Sequence, residues 1–297
     1  MGEIRNSYIK LKEKIDTNDY EDINNLQKTC LEIDKTALKL EIDYKLSRTE
    51  GKNNKLNNIN EFMYYNGDKL IGYIGIGEFG GSVLEVNGMV HPEYRRNGVF
   101  KRLFSLVKDE WEKRKNIKML LLSDNSSIPG QEFIKTTEAR FNNSEYEMFL
   151  ENKFKQKIIA KDVILRKATN KDAKEIALQE SIYANVEFKE QDISMPEEEE
   201  KCGEITYIAE INNKIIGKAR LEICEGVGGI YGLGVHPEYR GNGYGRELLI
   251  LSIEKLKEKN PKDIMLQVVT KNIAALNLYK SCGFEEVSTM NYYELNK

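Results

Sequence analysis

The sequence predicts an α/β (α+β) protein of two tandem domains, each a mixed, mostly antiparallel sheet flanked by helices. Three observations carry this expectation. The phrase "VHPEYRRNGVFKRL" at residues 90–103 returns as "VHPEYRGNGYGREL" at residues 235–248. Short runs of alternating apolar residues are interleaved with segments of helical spacing. Most successive strand-like runs are joined by loops too short for a parallel crossover, which makes the sheet mostly antiparallel.

A shift of 145 residues lays His91, Pro92, Glu93, Tyr94 and Arg95 on His236 through Arg240, and "KLIG" from Lys69 on "KIIG" from Lys214. Further on, the register is expected to drift by two residues, so that Asn125 falls on Asn272. Collinear agreement at so long a period marks a duplicated domain rather than a solenoid. The expected boundaries are residues 1–151 for the first domain, 152–161 for a Lys-rich linker within "ENKFKQKIIAKD", and 162–297 for the second.

In the first copy, helical stretches near residues 7–34 precede the alternating "LKLEIDYKL" at residues 38–46, which predicts a strand. In the second copy, "VILRKA" is a strand and "NKDAKEIALQESIYAN" a helix. "TYIAEI", "KIIGKARLEI" and "IYGLGV" are three further strands. A helix follows from Gly243, with Leu249, Ile253 and Leu256 on one face, and Asn260-Pro261 stops it. The strand "DIMLQVV", a helix from Asn272 to Cys282 and closing strands around "FEEVSTMNYYEL" complete the copy.

A chain of 297 residues with 40% hydrophobic content can bury two cores. Its 45 basic and 48 acidic side chains leave a net charge of −3, so no polyanion footprint exists and nucleic acid is not an expected partner. Cys30, Cys202, Cys224 and Cys282 form no CxxC pair and follow no secretory leader, which predicts reduced thiols, a cytoplasmic location and no metal. No apolar run reaches the roughly 20 residues that span a bilayer, and the myristoylation pattern at Gly2 fails at Asn6, so no membrane association is expected. The protein is expected to be a monomer or homodimer.

"RGNGYG", Arg240 to Gly245, leaves a strand and enters a helix, so backbone N–H groups converge where the helix dipole is positive. That is an anion cradle suited to a pyrophosphate, and a Cβ at Gly243 or Gly245 is expected to hold phosphates away or force an unfavourable backbone angle. The dinucleotide pattern G-x-G-x-x-G fails at Arg246, and no P-loop ending is present. The remaining R-x-x-G-x-G after "VHPEY" resembles the acetyl-CoA loop of the GNAT (Gcn5-related N-acetyltransferase) superfamily. "NIAALNLYKSCGF", Asn272 to Phe284, is similar to the family's following helix, and the resemblance covers most of residues 162–297.

This resemblance implies an N-acetyltransferase that moves an acetyl group from acetyl-CoA to a primary amine, most simply a small molecule, by direct attack in the second domain. It assigns backbone amides of Arg240, Gly241, Asn242, Gly243, Tyr244 and Gly245 to the pyrophosphate, and backbone of Leu233, Gly234 and Val235 to the pantetheine arm, with one amide there facing the oxyanion. Tyr279 is the implied acid, although Ala275, Leu278, Tyr279 and Cys282 share one helix face and a core role is the alternative. Asn272 is an N-cap, a coenzyme contact, or both. For the base, "GIYGLGV" offers no carboxylate, leaving Glu222, Tyr231 or a water relay. The acidic run Glu197–Glu200 is a solvated face or greets a cationic substrate, and His91 and His236 brace their loops. In the first copy Phe100 replaces Gly245 and, in the drifted register, Phe133 lies nearest to Tyr279. Cradle and acid are thus both lost, leaving a catalytically retired half that serves as scaffold, as a pocket wall or as a site for another ligand. A coenzyme A-binding regulatory protein without turnover is the competing functional class.

Overall fold

Amphipathic runs become strands where helices cover their apolar faces, and the computed structural model describes this for residues 2–47, 58–78, 83–151, 162–224 and 226–297. They form two compact units, one of residues 1–144 with 288–297, the other of residues 145–287.

The first unit holds β1 (Ser7–Lys12), α1 (Thr17–Asp34), α2 (Ile42–Ser47), β2 (Glu61–Asn66), β3 (Lys69–Gly77), β4 (Val83–Val90), α3 (Val99–Lys113), β5 (Lys118–Asp124), α4 (Ile128–Lys135) and the start of β6 (Arg140–Leu150). Its sheet runs β1-β2-β3-β4-β5 and is closed by the end of β12 (Phe284–Asn296); among the described residues, β4–β5 is the one parallel pair of this series. On α3, Val99, Leu103 and Val107 recur every fourth residue and pack with Ile71, Ile74 and Leu84. On α1, Ile23, Leu26 and Cys30 pack with Met63, Tyr65 and Tyr73. A capping box between Asp16 and Asp19 fixes the start of α1.

Two expectations for this unit are corrected. Residues 7–12 are not helical but form β1 against β2, with the Tyr8 ring stacked on Tyr65 at 5.0 Å. Residues 38–46 are not a strand: Glu41 adopts a left-handed φ of 53°, which ends the extended run, and α2 begins at Ile42. Leu40 and Ile42 are buried with α1 instead of joining the ladder.

The second unit holds β7 (Ile164–Lys167), α5 (Ala173–Ala184), α6 (Pro196–Lys201), β8 (Ile205–Ile211), β9 (Lys214–Cys224), β10 (Val227–Val235), α7 (Tyr244–Lys257), β11 (Asp263–Val269) and α8 (Ile273–Ser281). Its sheet runs β7-β8-β9-β10-β11 and is closed by the end of β6. Each sheet therefore takes its closing strand from the other sequence copy. β5 pairs with Met290–Asn296 and β11 with Glu145–Phe149. The units are thus not the two contiguous stretches 1–151 and 162–297, and residues 152–161, expected as the linker, lie outside the described residues.

These pairings also remove the expected register drift. Leu120 pairs with Glu294 and Met265 with Phe149, so both strand and partner keep the 145-residue offset. The helix caps agree: Ser127 accepts from the Gly130 amide, Asn272 from the Ala275 amide. The counterpart of Tyr279 is consequently Ile134, and Phe133 matches Leu278.

Cutting the chain at 151/162 removes a closing strand from each unit and leaves β5 or β11 as an open edge. Fragments 1–151 and 162–297 are expected to be insoluble or without a cooperative melt when made separately, and to form a soluble complex when co-expressed. A soluble 162–297 fragment with a cooperative thermal transition would contradict the exchange.

Candidate active site

The opening in the second unit starts where a ladder stops. β10 and β11 pair in parallel from Val227↔Asp263 to Ile230↔Leu266, and the pairing ends there. Immediately afterwards β10 bulges against β9, between Tyr231↔Arg220 and Gly234↔Lys218. Gly232 takes a φ of 53° in this bulge, a conformation that glycine reaches without steric cost. Leu233, Gly234 and Val235 therefore lie beyond the β10–β11 ladder.

The chain then turns through Pro237–Tyr239 and reaches α7 by two left-handed glycines, Gly241 at φ 76° and Gly243 at φ 81°. Gly243 is the N-cap of α7, and no side chain caps that end. An uncapped first turn presents its N–H groups, with the positive end of the dipole, to an outside acceptor. The Arg240 side chain turns back: its Nε donates to the Val235 carbonyl at 2.9 Å, and its guanidinium lies 5.8 Å from the Tyr183 ring centroid. Asn242 Nδ2 donates to the Arg240 carbonyl at 3.1 Å, and the Tyr244 ring meets Tyr239 edge-on at 6.3 Å. These side chains brace the loop.

Gly245 departs from expectation. Its φ is not left-handed, and a Cβ there would meet Leu278 at 3.5 Å and Val235 at 3.9 Å, ordinary contacts. No backbone angle demands glycine at 245. What glycine leaves at this position is room for a methyl group against Leu278 and Val235 beside the helix N-terminus.

On α8, Asn272 accepts from the Ala275 amide at 3.2 Å and so acts as the N-cap. Tyr279 is buried at 8% exposure beside Leu276 and meets Phe284 edge-on at 6.2 Å. Its hydroxyl has no hydrogen-bond partner among the described residues, and burial pushes its pKa up to about 12. The ring is core, yet the phenol stays protonated at neutral pH with its proton uncommitted.

A charged cluster that sequence reasoning missed lies under the bulge. Lys218 on β9 is fully buried; its Nζ donates to Glu180 of α5 at 2.8 Å and would stand 3.3 Å from a Cβ at Gly232. Arg220 donates to the same Glu180 oxygen at 3.1 Å and to Glu204 at 3.0 Å. Burial acts to raise the Glu180 pKa, but Lys218 and Arg220 outweigh it and hold the carboxyl below the usual range. Burial pulls the Lys218 ammonium below the usual lysine range despite Glu180. Lys218, Arg220 and Glu222 alternate along an otherwise apolar strand, and that alternation was the available signal. Glu222 pairs opposite Gly229, roughly 7 Å further from the bulge than Arg220 at about 3.4 Å per residue. Tyr231 donates to Met265 Sδ at 3.7 Å, and His236 Nε2 donates to Glu175 at 2.8 Å. The Tyr183 ring lies where any side chain at Gly234 would be.

The first unit repeats the opening with different chemistry. Parallel pairing ends at Val86↔Leu121, the counterpart of Ile230↔Leu266, but the β3–β4 register is unbroken from Gly72↔Val90 to Gly77↔Glu85, so the bulge is missing. Gly98 caps α3 at φ 76° while Arg96 takes the left-handed place of Gly241 at φ 65°. The Phe100 ring packs on Phe133 at 4.5 Å, and the buried Ile134 stands in place of Tyr279.

Comparison with known proteins agrees with this duplicated geometry. The Acetyltransferase (GNAT) family pattern matches residues 20–135 and 172–284. The chain belongs to this family, a class of acetyl-CoA-dependent acyltransferases. It is 39% identical over 65 residues to N-alpha-acetyltransferase 30 of Saccharomyces cerevisiae, covering 22% of this chain and 37% of that one. It is 35% identical over 85 residues to a mycothiol acetyltransferase of Thermobispora bispora, covering 26% and 29% respectively. Among solved structures, a GCN5-related N-acetyltransferase from Sphaerobacter thermophilus superposes with a TM-score of 0.75 at 16% identity, covering 97% of this chain and 95% of that one. A tandem GNAT protein from the clavulanic acid biosynthesis pathway gives 0.73 at 13% identity, covering 98% of each. Both structures are alike in fold, and both curated matches span well under two thirds of the relative's length.

The two glycines are expected to respond oppositely. Gly241→Ala forces a left-handed alanine and should lower stability by about 1 kcal/mol, whereas Gly245→Ala in the first turn of α7 should leave stability equal or raised while weakening coenzyme A binding. Denaturant melts with coenzyme A titrations check this; a strongly destabilised Gly245→Ala would contradict the assignment.

Proposed function

We propose that the second unit transfers an acetyl group from acetyl-CoA to a primary amine, most simply a small molecule, by direct attack. The observation that carries this is the convergence, within one unit, of a bulged β10 stretch beyond its parallel ladder and an uncapped α7 N-terminus, whose N-cap Gly243 follows nine residues after the bulge closes at Gly234. The α7 N-terminal turn, from Gly243 to Gly245, takes the pyrophosphate. The backbone of Leu233–Val235 takes the pantetheine arm and presents an amide to the carbonyl oxygen as it becomes an oxyanion. The amine nitrogen forms its bond to the acetyl carbon, and collapse breaks the carbon–sulfur bond. Tyr279 gives its phenolic proton to the departing sulfur. Asn272 fixes the start of the helix that carries Tyr279.

The amine must lose a proton. Glu180, the carboxylate held beside the bulge by Lys218, accepts it through a water; Glu222 on the same strand face as Lys218 and Arg220 is the alternative. The N-acetyltransferase relatives support transfer to an amine in general.

Tyr279→Phe should lower kcat by about 10²- to 10⁴-fold with acetyl-CoA affinity little changed. A phenol with a raised pKa remains in its acid form as pH rises, so no alkaline fall in kcat from Tyr279 is expected below pH 10. An alkaline limb near 9 that disappears in Tyr279→Phe would contradict the assignment, as would unchanged kcat where chemistry limits the rate. Of the base candidates, Glu180→Gln should cost more in kcat/KM than Glu222→Gln; the reverse order would move the base to Glu222.

A further inference from the structure

Beyond Val86 and Leu121 the first unit opens into a cleft of about 360 Å³, within the size range of small-molecule sites. Val86, Met89, Phe100, Phe104 and Ile134 are among its apolar walls. Asn87 lines it from β4 at 7% exposure. Its Oδ1 accepts from the Gly88 amide at 2.7 Å, whereas its Nδ2 is buried with no hydrogen-bond partner among the described residues. A buried amide donor without an acceptor is costly, and on a residue that lines a cleft it points to an acceptor brought from outside.

The charges around the cleft limit what that ligand is. Arg95 holds Asp34 through two hydrogen bonds, at 2.7 and 2.5 Å. The amides of Ala37 and Ser126 hold Asp124 at 2.8 and 2.6 Å, and Lys135 holds Glu132 at 2.7 Å. A cationic amine meets no uncommitted carboxylate among these. Arg96 and Lys101 line the cleft as well, yet the acceptor at Asn87 is neutral, because a buried charge there requires a counter-charge or several donors and Nδ2 is one neutral donor. Phe100 stands at the position of Gly245 with its ring packed on Phe133, which places a benzyl group at the start of α3 where the second unit has no side chain.

We propose that this cleft binds an uncharged, apolar carboxamide, its carbonyl oxygen accepting from Asn87 Nδ2 and its hydrocarbon part lying against Phe100, Phe104 and Ile134. The first unit is then a binding module for a neutral ligand and not a vestigial coenzyme site.

The test uses the full chain saturated with coenzyme A and titrated calorimetrically with hexanamide, hexylammonium and hexanoate. Hexanamide should bind once per chain and more tightly than either ion, and Asn87→Leu should weaken it by about tenfold or more through loss of one buried hydrogen bond. Equal or tighter binding of an ion, unchanged hexanamide affinity in Asn87→Leu, or two equivalents of coenzyme A per chain would overturn the proposal. Should Asn87→Leu fail to fold, crystals of the unmodified protein soaked in hexanamide decide the matter. A carbonyl oxygen within hydrogen-bond distance of Asn87 Nδ2 supports the site; a carbonyl directed elsewhere, or an empty cleft at saturating hexanamide, overturns it.

Discussion

Everything proposed for the second unit depends on the parallel pairing of β10 and β11 stopping at Ile230↔Leu266. Parallel strands stay together while each finds donors and acceptors in the other. One extra residue in β10, accommodated by the left-handed Gly232, adds a bulge against β9 just past that point. Backbone polar groups seek partners, and a strand taken out of its ladder is prepared for an extended ligand that can pair with it. The cost of the opening is contained by the packing around it: Leu233 joins two apolar clusters, each with residues of α7, and the Tyr183 ring covers Gly234.

The duplicated unit separates what the fold requires from what chemistry requires. Its parallel pairing stops at the equivalent residues, so the opening belongs to the architecture. The bulge does not persist, nor does the phenol, and Phe100 stands at the helix start. These changes replace a glycine and a phenol by Phe100 and Ile134 while α3 keeps its core contacts. The closing strands exchanged between the sequence copies mean that neither half of the chain contains a whole unit. Retention of the first copy therefore has a structural cause that is independent of any ligand it holds.

Much of this was legible in the sequence because the signals were local. The repeat, the strand–turn–helix context of Arg240–Gly245 and the cap at Asn272 each rest on a few adjacent residues, and the structure places them as elements of those kinds. The segment at residues 38–46 misled because alternation records which residues are buried, not against what; Leu40 and Ile42 are buried by α1. The two-residue drift followed from matching Asn125 to Asn272 by residue type, whereas Ser127 performs the same capping role. The Lys218–Glu180–Arg220 cluster joins a helix to a strand 38 residues away, which no local spacing encodes. The strand exchange is likewise a property of pairing between distant segments.

The central claim is that one opening, in the second unit, receives acetyl-CoA through backbone groups. Hydrogen–deuterium exchange of the full chain, with and without acetyl-CoA, tests it most directly because it reads those amides. Protection confined to residues 231–235 and 241–247, with residues 87–90 and 96–102 unchanged, is the expected result. Protection of the first unit's segments instead, or equally in both, would contradict it.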